Sequence, residues 1–273
     1  MTHPHLHWTL DPGPLAAMAV GSVIYVRRFR AARQEAGGRG AGWLHAAAFA
    51  GCVAVLLAAL VSPLDGLGEN YLFSAHMAQH VLLGDIAPLL LLLSLSRVIM
   101  RPATRRLTSL ERRLGALASP LAFIALWLVL IYFWHVPALY DAALRHPLVH
   151  AVEHLCFFCA GAAVWWPLVQ PVPMRRRLTG LAPFRYIFGA KVGLAALGLY
   201  LTWSTAVVYG YYEHVPRIWG LSVIDDQNVG GALMLVEQSI VLLTALVILF
   251  VRMLAQSEED ERRRERLEDA APA

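Results

Sequence analysis

The chain has 273 residues, 58% of them hydrophobic and 15% charged, with a mean hydropathy of +0.54. That is the composition of a membrane protein and not of a soluble globular domain. The pI near 9.1 comes from arginines gathered in particular connections. Charge distributed in this way argues topology and speaks against nucleic-acid binding.

Crossing about 30 Å of hydrocarbon takes roughly 20 apolar residues per helix. The sequence predicts seven such spans, at about 8–26, 43–61, 71–93, 114–134, 149–169, 187–209 and 230–251, in a single integral membrane domain covering 1–273. Asp11, Pro12 and Pro14 shorten the apolar part of the first. Long apolar runs without two-residue alternation speak against an outer-membrane barrel. The expected fold class is all-α: a polytopic seven-helix transmembrane bundle with a charged cytoplasmic tail over 252–273. No basic segment with a small-residue cleavage site precedes the first span, so no cleaved signal peptide is expected.

Orientation follows from the connections. Arg27 to Arg39, Arg97 to Arg113, Arg175 to Arg185 and the C-terminal Arg252 to Arg266 load every second connection with arginine. The intervening ones hold at most Arg145 or Arg217, and the N-terminal tail holds none. The positive-inside rule then puts the N-terminus outside and the C-terminus in the cytoplasm.

All histidines but His45 fall at or near the arginine-poor side. The predicted third span carries HMAQH (His76–His80), and the fifth opens with HPLVHAVEH (His146–His154). Four residues of α-helix turn about 400° and rise about 6 Å, so His76 and His80 share a face, as do His146, His150 and His154. Ionisable groups within a membrane are costly and face the bundle interior. Imidazole in numbers suits Cu, Zn, Fe or haem, whereas the ordinary use of a lone membrane histidine is an interhelical hydrogen bond. His135 ends the fourth span, and His214 lies in a loop on the same side. Glu153 is placed to orient an imidazole. Glu237, by depth, is either a ligand or a buried acid, and Met77 and Met234 are soft donors at helical packing positions. The short segment from Thr2 to His7 could capture metal weakly. Asp85 and Lys191, both deeper, are placed to pair with each other. Cys52, Cys156 and Cys159 lie inside predicted helices, where cysteine is ordinarily a small hydrophobe and no disulfide framework is expected.

HMAQHVLLGDIAPLLLL (76–92), WHVPALYDAALRHPLVHAVEHLCFFCAGAAVWWP (134–167) and DQNVGGALM (226–234) together resemble the multi-spanning CtaG-type cytochrome c oxidase assembly factors. The likeness runs from about His45 to Met253. It implies a bacterial inner-membrane protein needed to mature haem–copper oxidase, with oxidase subunits and the bilayer as partners, copper as the metal and homo-oligomerisation left open. Carried over by motif position are His76, His80, His135, His146, His150, His154 and Asp226. Glu237 has no such support and rests on its depth. Two enzyme-like or carrier alternatives use the same residues. A di-iron hydroxylase also uses HxxxH boxes, but resemblance to that class puts them on the cytoplasmic side. A bis-histidine haem protein would take His80 and His154 as axial ligands. The expectation is a metal-handling assembly factor without turnover chemistry.

Overall fold

The computed structural model describes residues 6–269, and side chains as far as residue 266. His3 and His5 of the expected N-terminal capture segment lie outside the described residues; His7 is exposed. In chain order the helices are α1 (Pro12–Glu35), α2 (Trp43–Leu60), α3 (Pro63–Asn70), α4 (Phe73–Val81), α5 (Ala87–Ser94), α6 (Arg101–Leu114), α7 (Pro120–Trp134), α8 (Pro137–Arg145), α9 (Pro147–Val169), α10 (Ala182–Trp203) and α11 (Val223–Asp269). No strand occurs among the described residues. Proline in the first turn opens α1, α3, α7, α8, α9 and α10, where its missing N–H is an orphan donor anyway. Ser62 and Ser119 cap α3 and α7 by accepting from Leu64 N and Ala122 N.

Five stretches are long and apolar enough to cross a membrane: Trp43–Asn70, Phe73–Ser94, Pro147–Val169, Ala182–Trp203 and Val223–Arg266. A sixth crossing results if α6 and α7, bent by 72° at Ser119, are taken together. The protein is therefore polytopic and all-helical. α1 forms a continuous helix but is not among these stretches, since its second half carries Arg27, Arg28, Arg30 and Arg33.

Several boundaries differ from the sequence reading. The expected fourth span began at Leu114; α7 begins at Pro120, because Gly115 (φ +57°) and Ser119 break the chain after the amphipathic α6. The expected sixth span reached Tyr209, whereas α10 stops at Trp203. Gln227 satisfies the unwound segment instead, accepting from Val208 N at 2.8 Å and donating to Ala206 O at 3.2 Å. That frees Tyr209 to stack over Tyr140, ring centroids 4.0 Å apart.

The third span is interrupted by a π-helical turn, Leu82–Ile86, between α4 and α5. Such turns insert a residue and reorient side chains. Gly84 sits in this turn, and Gly161 of α9 lies directly against its carbonyl, so that a Cβ at Gly161 would collide with the Gly84 backbone. The π turn that follows the histidines of α4 is thereby held at backbone contact distance from α9, which carries the others. α11 packs along α4 and α10, and α7 packs on α9, closing the bundle around them.

Candidate metal centre

The i,i+4 spacing does what helical geometry requires. His76 and His80 lie one turn apart on α4, and His150 and His154 lie one turn apart on α9. The His76 and His80 Nε2 atoms are 2.6 Å apart, and the His150 and His154 ring centroids are 4.0 Å apart. Across the interface the His76 ring stands 5.2 Å from His150 and 6.2 Å from His154. His135, at the C-cap of α7, brings its ring to 6.1 Å from His80.

Two sets of donors each gather within 4.8 Å: His76, His150 and His154, and His76, His80 and Glu153. His76 belongs to both. Glu153 is fully buried, with Oε1 3.7 Å from His80 Nε2. The placement of the remaining sequence candidates is mixed. His146 is exposed at the joint of α8 and α9, away from both sets. Met77 is packed in the aromatic core beside Phe73, and Met234 borders a small cavity of about 40 Å³ together with His80, His135, Asp85 and Glu237. Glu237 therefore lies between the histidines and the deeper Asp85–Lys191 pair, with Gln238 donating to its Oε2 at 2.7 Å.

Asp226 is not a donor to the cluster. Its buried carboxylate accepts from Phe73 N at 2.8 Å, Ser74 N at 3.1 Å and Ser74 Oγ at 2.6 Å, and pairs with Arg217 at 3.4 Å. It caps the first turn of α4 from another helix. An anion there also complements the positive end of that helix. Its task is to position His76 and His80.

The hydrogen-bonding pattern fixes which imidazole nitrogens are free. His150 Nδ1 lies 2.8 Å from Glu69 Oε1, and His135 Nδ1 lies 2.8 Å from the Ile131 carbonyl. Both partners are acceptors, so Nδ1 carries the proton and Nε2 presents a lone pair. Neither Nε2 has a hydrogen-bond partner among the described residues, and the same holds for His76 Nδ1, His80 Nδ1, His154 Nε2 and both oxygens of Glu153. Buried polar atoms are normally satisfied, so these orphaned atoms mark a place where a ligand could be held. Imidazoles with one carboxylate fit a borderline or soft metal ion such as copper or zinc. Between His76 and His80 one Nε2 must carry the shared proton, and a cation coordinated there would displace it.

Sequence reasoning missed Glu69, Gln79 and the aromatic cap. Gln79, fully buried, donates to Asp65 Oδ1 at 2.7 Å and to Ala59 O at 2.9 Å, tying α4 to α2 and α3. Tyr211 and Tyr212 donate to the carbonyls of Glu69 and Gly68, and Gly68 in turn packs on the His76 backbone. The only sequence signal for Glu69 was an acidic pair in an arginine-poor connection, which reads equally well as a solvated loop. At the far side, the expected Asp85–Lys191 pair is formed. Trp165 Nε1 donates to the other Asp85 oxygen at 2.5 Å, and the ammonium lies 5.6 Å from the ring centroids of both Trp127 and Trp165.

Among families of known proteins, the cytochrome c oxidase caa3 assembly factors (Caa3_CtaG) match residues 23–256. The chain belongs to this family. The matched region includes every donor of the two sets, together with Asp226 and the Asp85–Lys191 pair. An uncharacterized protein of Mycobacterium leprae is 27% identical over 261 residues, covering 90% of this chain and 38% of its own length. Uncharacterized proteins of Mycobacterium bovis and Mycobacterium tuberculosis are each 28% identical over 245 residues, covering 83% of this chain and 36% of theirs. The chain thus spans well under half the length of these relatives. No solved structure matches it.

Proposed function

We propose that this caa3-type assembly factor takes up copper at the buried histidine cluster and passes it to a haem–copper cytochrome c oxidase subunit, without turnover chemistry of its own. One observation carries the reading: two donor sets share His76, each within 4.8 Å, and every member keeps a buried nitrogen or oxygen with no hydrogen-bond partner among the described residues. His76 and its neighbours supply neutral imidazole, the form in which histidine ligates metal. Glu69 and Asp226 act through others, the first by fixing the His150 tautomer and the second by holding the start of α4.

The topology that fits this role has seven spans. α1 is the first, the bent α6–α7 pair the fourth, and the N-terminus lies outside. The cluster then faces the extracytoplasmic side of a bacterial inner membrane, where an oxidase copper centre would be loaded. Oxidase subunits are the partners in this reading. The haem and di-iron alternatives predict an absorption spectrum or bound iron in the purified protein.

The test is metal analysis of the purified protein, with and without His80→Ala and His154→Ala. About one copper per chain is expected for the parent and strongly reduced copper for the double variant. Equal copper in both would leave these histidines only a structural part.

A further inference from the structure

Helix α6 is the element that the bundle accounts for least. None of its 14 residues is buried, and a helix of that length is marginal in water on its own. Leu107, Leu110 and Leu114 share one face, at i, i+3 and i+7, while Arg105, Arg106, Arg112 and Arg113 take up another. The leucine row is not closed by protein. An apolar cleft of about 250 Å³ lies between it and Phe123 of α7, Trp166 of α9 and Met174 in the connection beyond. Polar ties are few: Arg175 N donates to Glu111 Oε1 at 2.8 Å, and Arg101 lies 3.6 Å from Glu35.

The angle of the helix shows which medium surrounds it. α6 meets α7 at 72°. α7 turns Leu121, Leu126, Val129 and Phe133 outward as exposed hydrophobics, a surface that acyl chains cover in a membrane-spanning helix. A helix at 72° to such a span lies close to the membrane plane. Exposed leucines run on without a break from Leu110 through Leu114 and Leu117 to Leu121, so the medium that covers α7 reaches the apolar face of α6. An amphipathic helix in that position sinks its apolar face about 5–10 Å into the headgroup boundary. Its flanking cations then stand level with the phosphates.

Those cations are unengaged. The guanidinium groups of Arg105, Arg106, Arg112 and Arg113 make no hydrogen bond or ion pair among the described residues. Arg106 and Arg113 stand two turns apart, about 10 Å along the axis. Together with Arg105, Ser109 and Leu110 they line one exposed groove, which no carboxylate enters. The planar guanidinium fork matches phosphate oxygens two at a time, and the Ser109 hydroxyl adds a donor. Nucleic acid or free phosphate would satisfy the arginines and leave the leucine row in water. A phospholipid supplies both surroundings at once.

We infer that α6 is an interfacial helix that binds anionic phospholipid, with the headgroup phosphate between Arg106 and Arg113 beside Ser109 and the leucine row on the acyl chains. Bound in this way, and tied through Glu111 to the connection after α9, it fixes the arginine-rich end of the bundle against the bilayer surface.

The test uses the full chain without metal, carrying a photocrosslinking benzophenone residue in place of Leu110. It is reconstituted in vesicles of equal phosphatidylglycerol and phosphatidylcholine, and mass spectrometry of the irradiated α6 peptide counts the lipid adducts. The parent is expected to favour phosphatidylglycerol by roughly fivefold to thirtyfold, since each basic group at an anionic surface contributes about fivefold. Arg106→Gln with Arg113→Gln is expected to bring the ratio close to one, whereas Arg27→Gln with Arg30→Gln on α1 leaves it unchanged. Salt near 1 M, where the screening length is about 3 Å, is expected to lower the excess of the parent and is the second readout should the paired α6 variant fail to fold. Equal adducts from the parent, an excess that survives the paired α6 variant or salt, an equal loss with the α1 pair, or crosslinks to a second copy of the chain in place of lipid each overturn the inference. The assay needs neither copper nor a fixed orientation, since both leaflets have one composition, so its failure leaves the copper reading standing and the reverse also holds.

Discussion

His150 shows how one residue serves two neighbours. Its Nδ1 proton goes to Glu69, and its other nitrogen is thereby made available toward His76 and His154. Truncating the carboxylate by Glu69→Ala should weaken copper binding by about tenfold to a hundredfold, the usual effect of losing an orienting partner. His146→Ala should leave binding unchanged, since that side chain is exposed at a helix joint. Isothermal titration on the two variants separates the cases, and an equal loss in both would contradict the geometry. Protons compete with the metal for every imidazole nitrogen, so affinity should fall as the pH is taken from neutral into the acid range. Equilibrium dialysis across that range reads the sign directly. At the opposite side, Lys191→Met strands the Asp85 carboxylate among Trp127, Trp165 and α10. Removing one partner of a buried pair costs about 3–5 kcal/mol, and a matching loss of thermal stability is expected, with partial recovery when Asp85→Asn is added.

At the scale of elements, the site depends on how closely the π turn after α4 approaches α9. Gly161→Ala places a Cβ against the Gly84 carbonyl of the π turn and should destabilise the protein by about 1–3 kcal/mol. A lowered melting temperature together with reduced copper binding is the expected pair of results. The sequence revealed the four central histidines because i,i+4 spacing states a helical face whatever surrounds it. It did not reveal α3, whose eight residues carry too short an apolar pattern to separate from a loop, and Glu69 was hidden with it. A steady 1.5 Å rise per residue does not anticipate the π turn at Leu82–Ile86, which brings Asp85 round to the cavity that Glu237 shares with His80. Asp226 was found by motif as an accessory residue, and only the fold shows what it touches: it caps α4 from another helix.

Over the whole molecule, composition alone made membrane class and helical fold legible, because the bilayer tolerates few backbone solutions. The number of spans was less legible: α1 mixes an uncharged first half with an arginine-bearing second half. Reporter fusions test the proposed arrangement. Fusions after Arg105 or Arg176 should read cytoplasmic and those after Asp65, Arg145 or Arg217 external. A strong external signal at Arg105 would reverse the orientation and move the cluster to the wrong side for loading an oxidase. A strain lacking the protein should make oxidase subunits of low activity and low copper, partly restored by excess copper through mass action.

The cap on α4 has a consequence for biosynthesis. Phe73 and Ser74 take their acceptor from Asp226, 153 and 152 residues further along the chain. While the ribosome is still translating α9, the histidines of α4 and α9 have both been made, but the first turn of α4 lacks its anchor. The donor sets therefore reach their final geometry only after α11 has emerged and docked. In the proposed role, a nascent or truncated polypeptide ending before Asp226 should hold copper poorly, so that only finished molecules would be loaded.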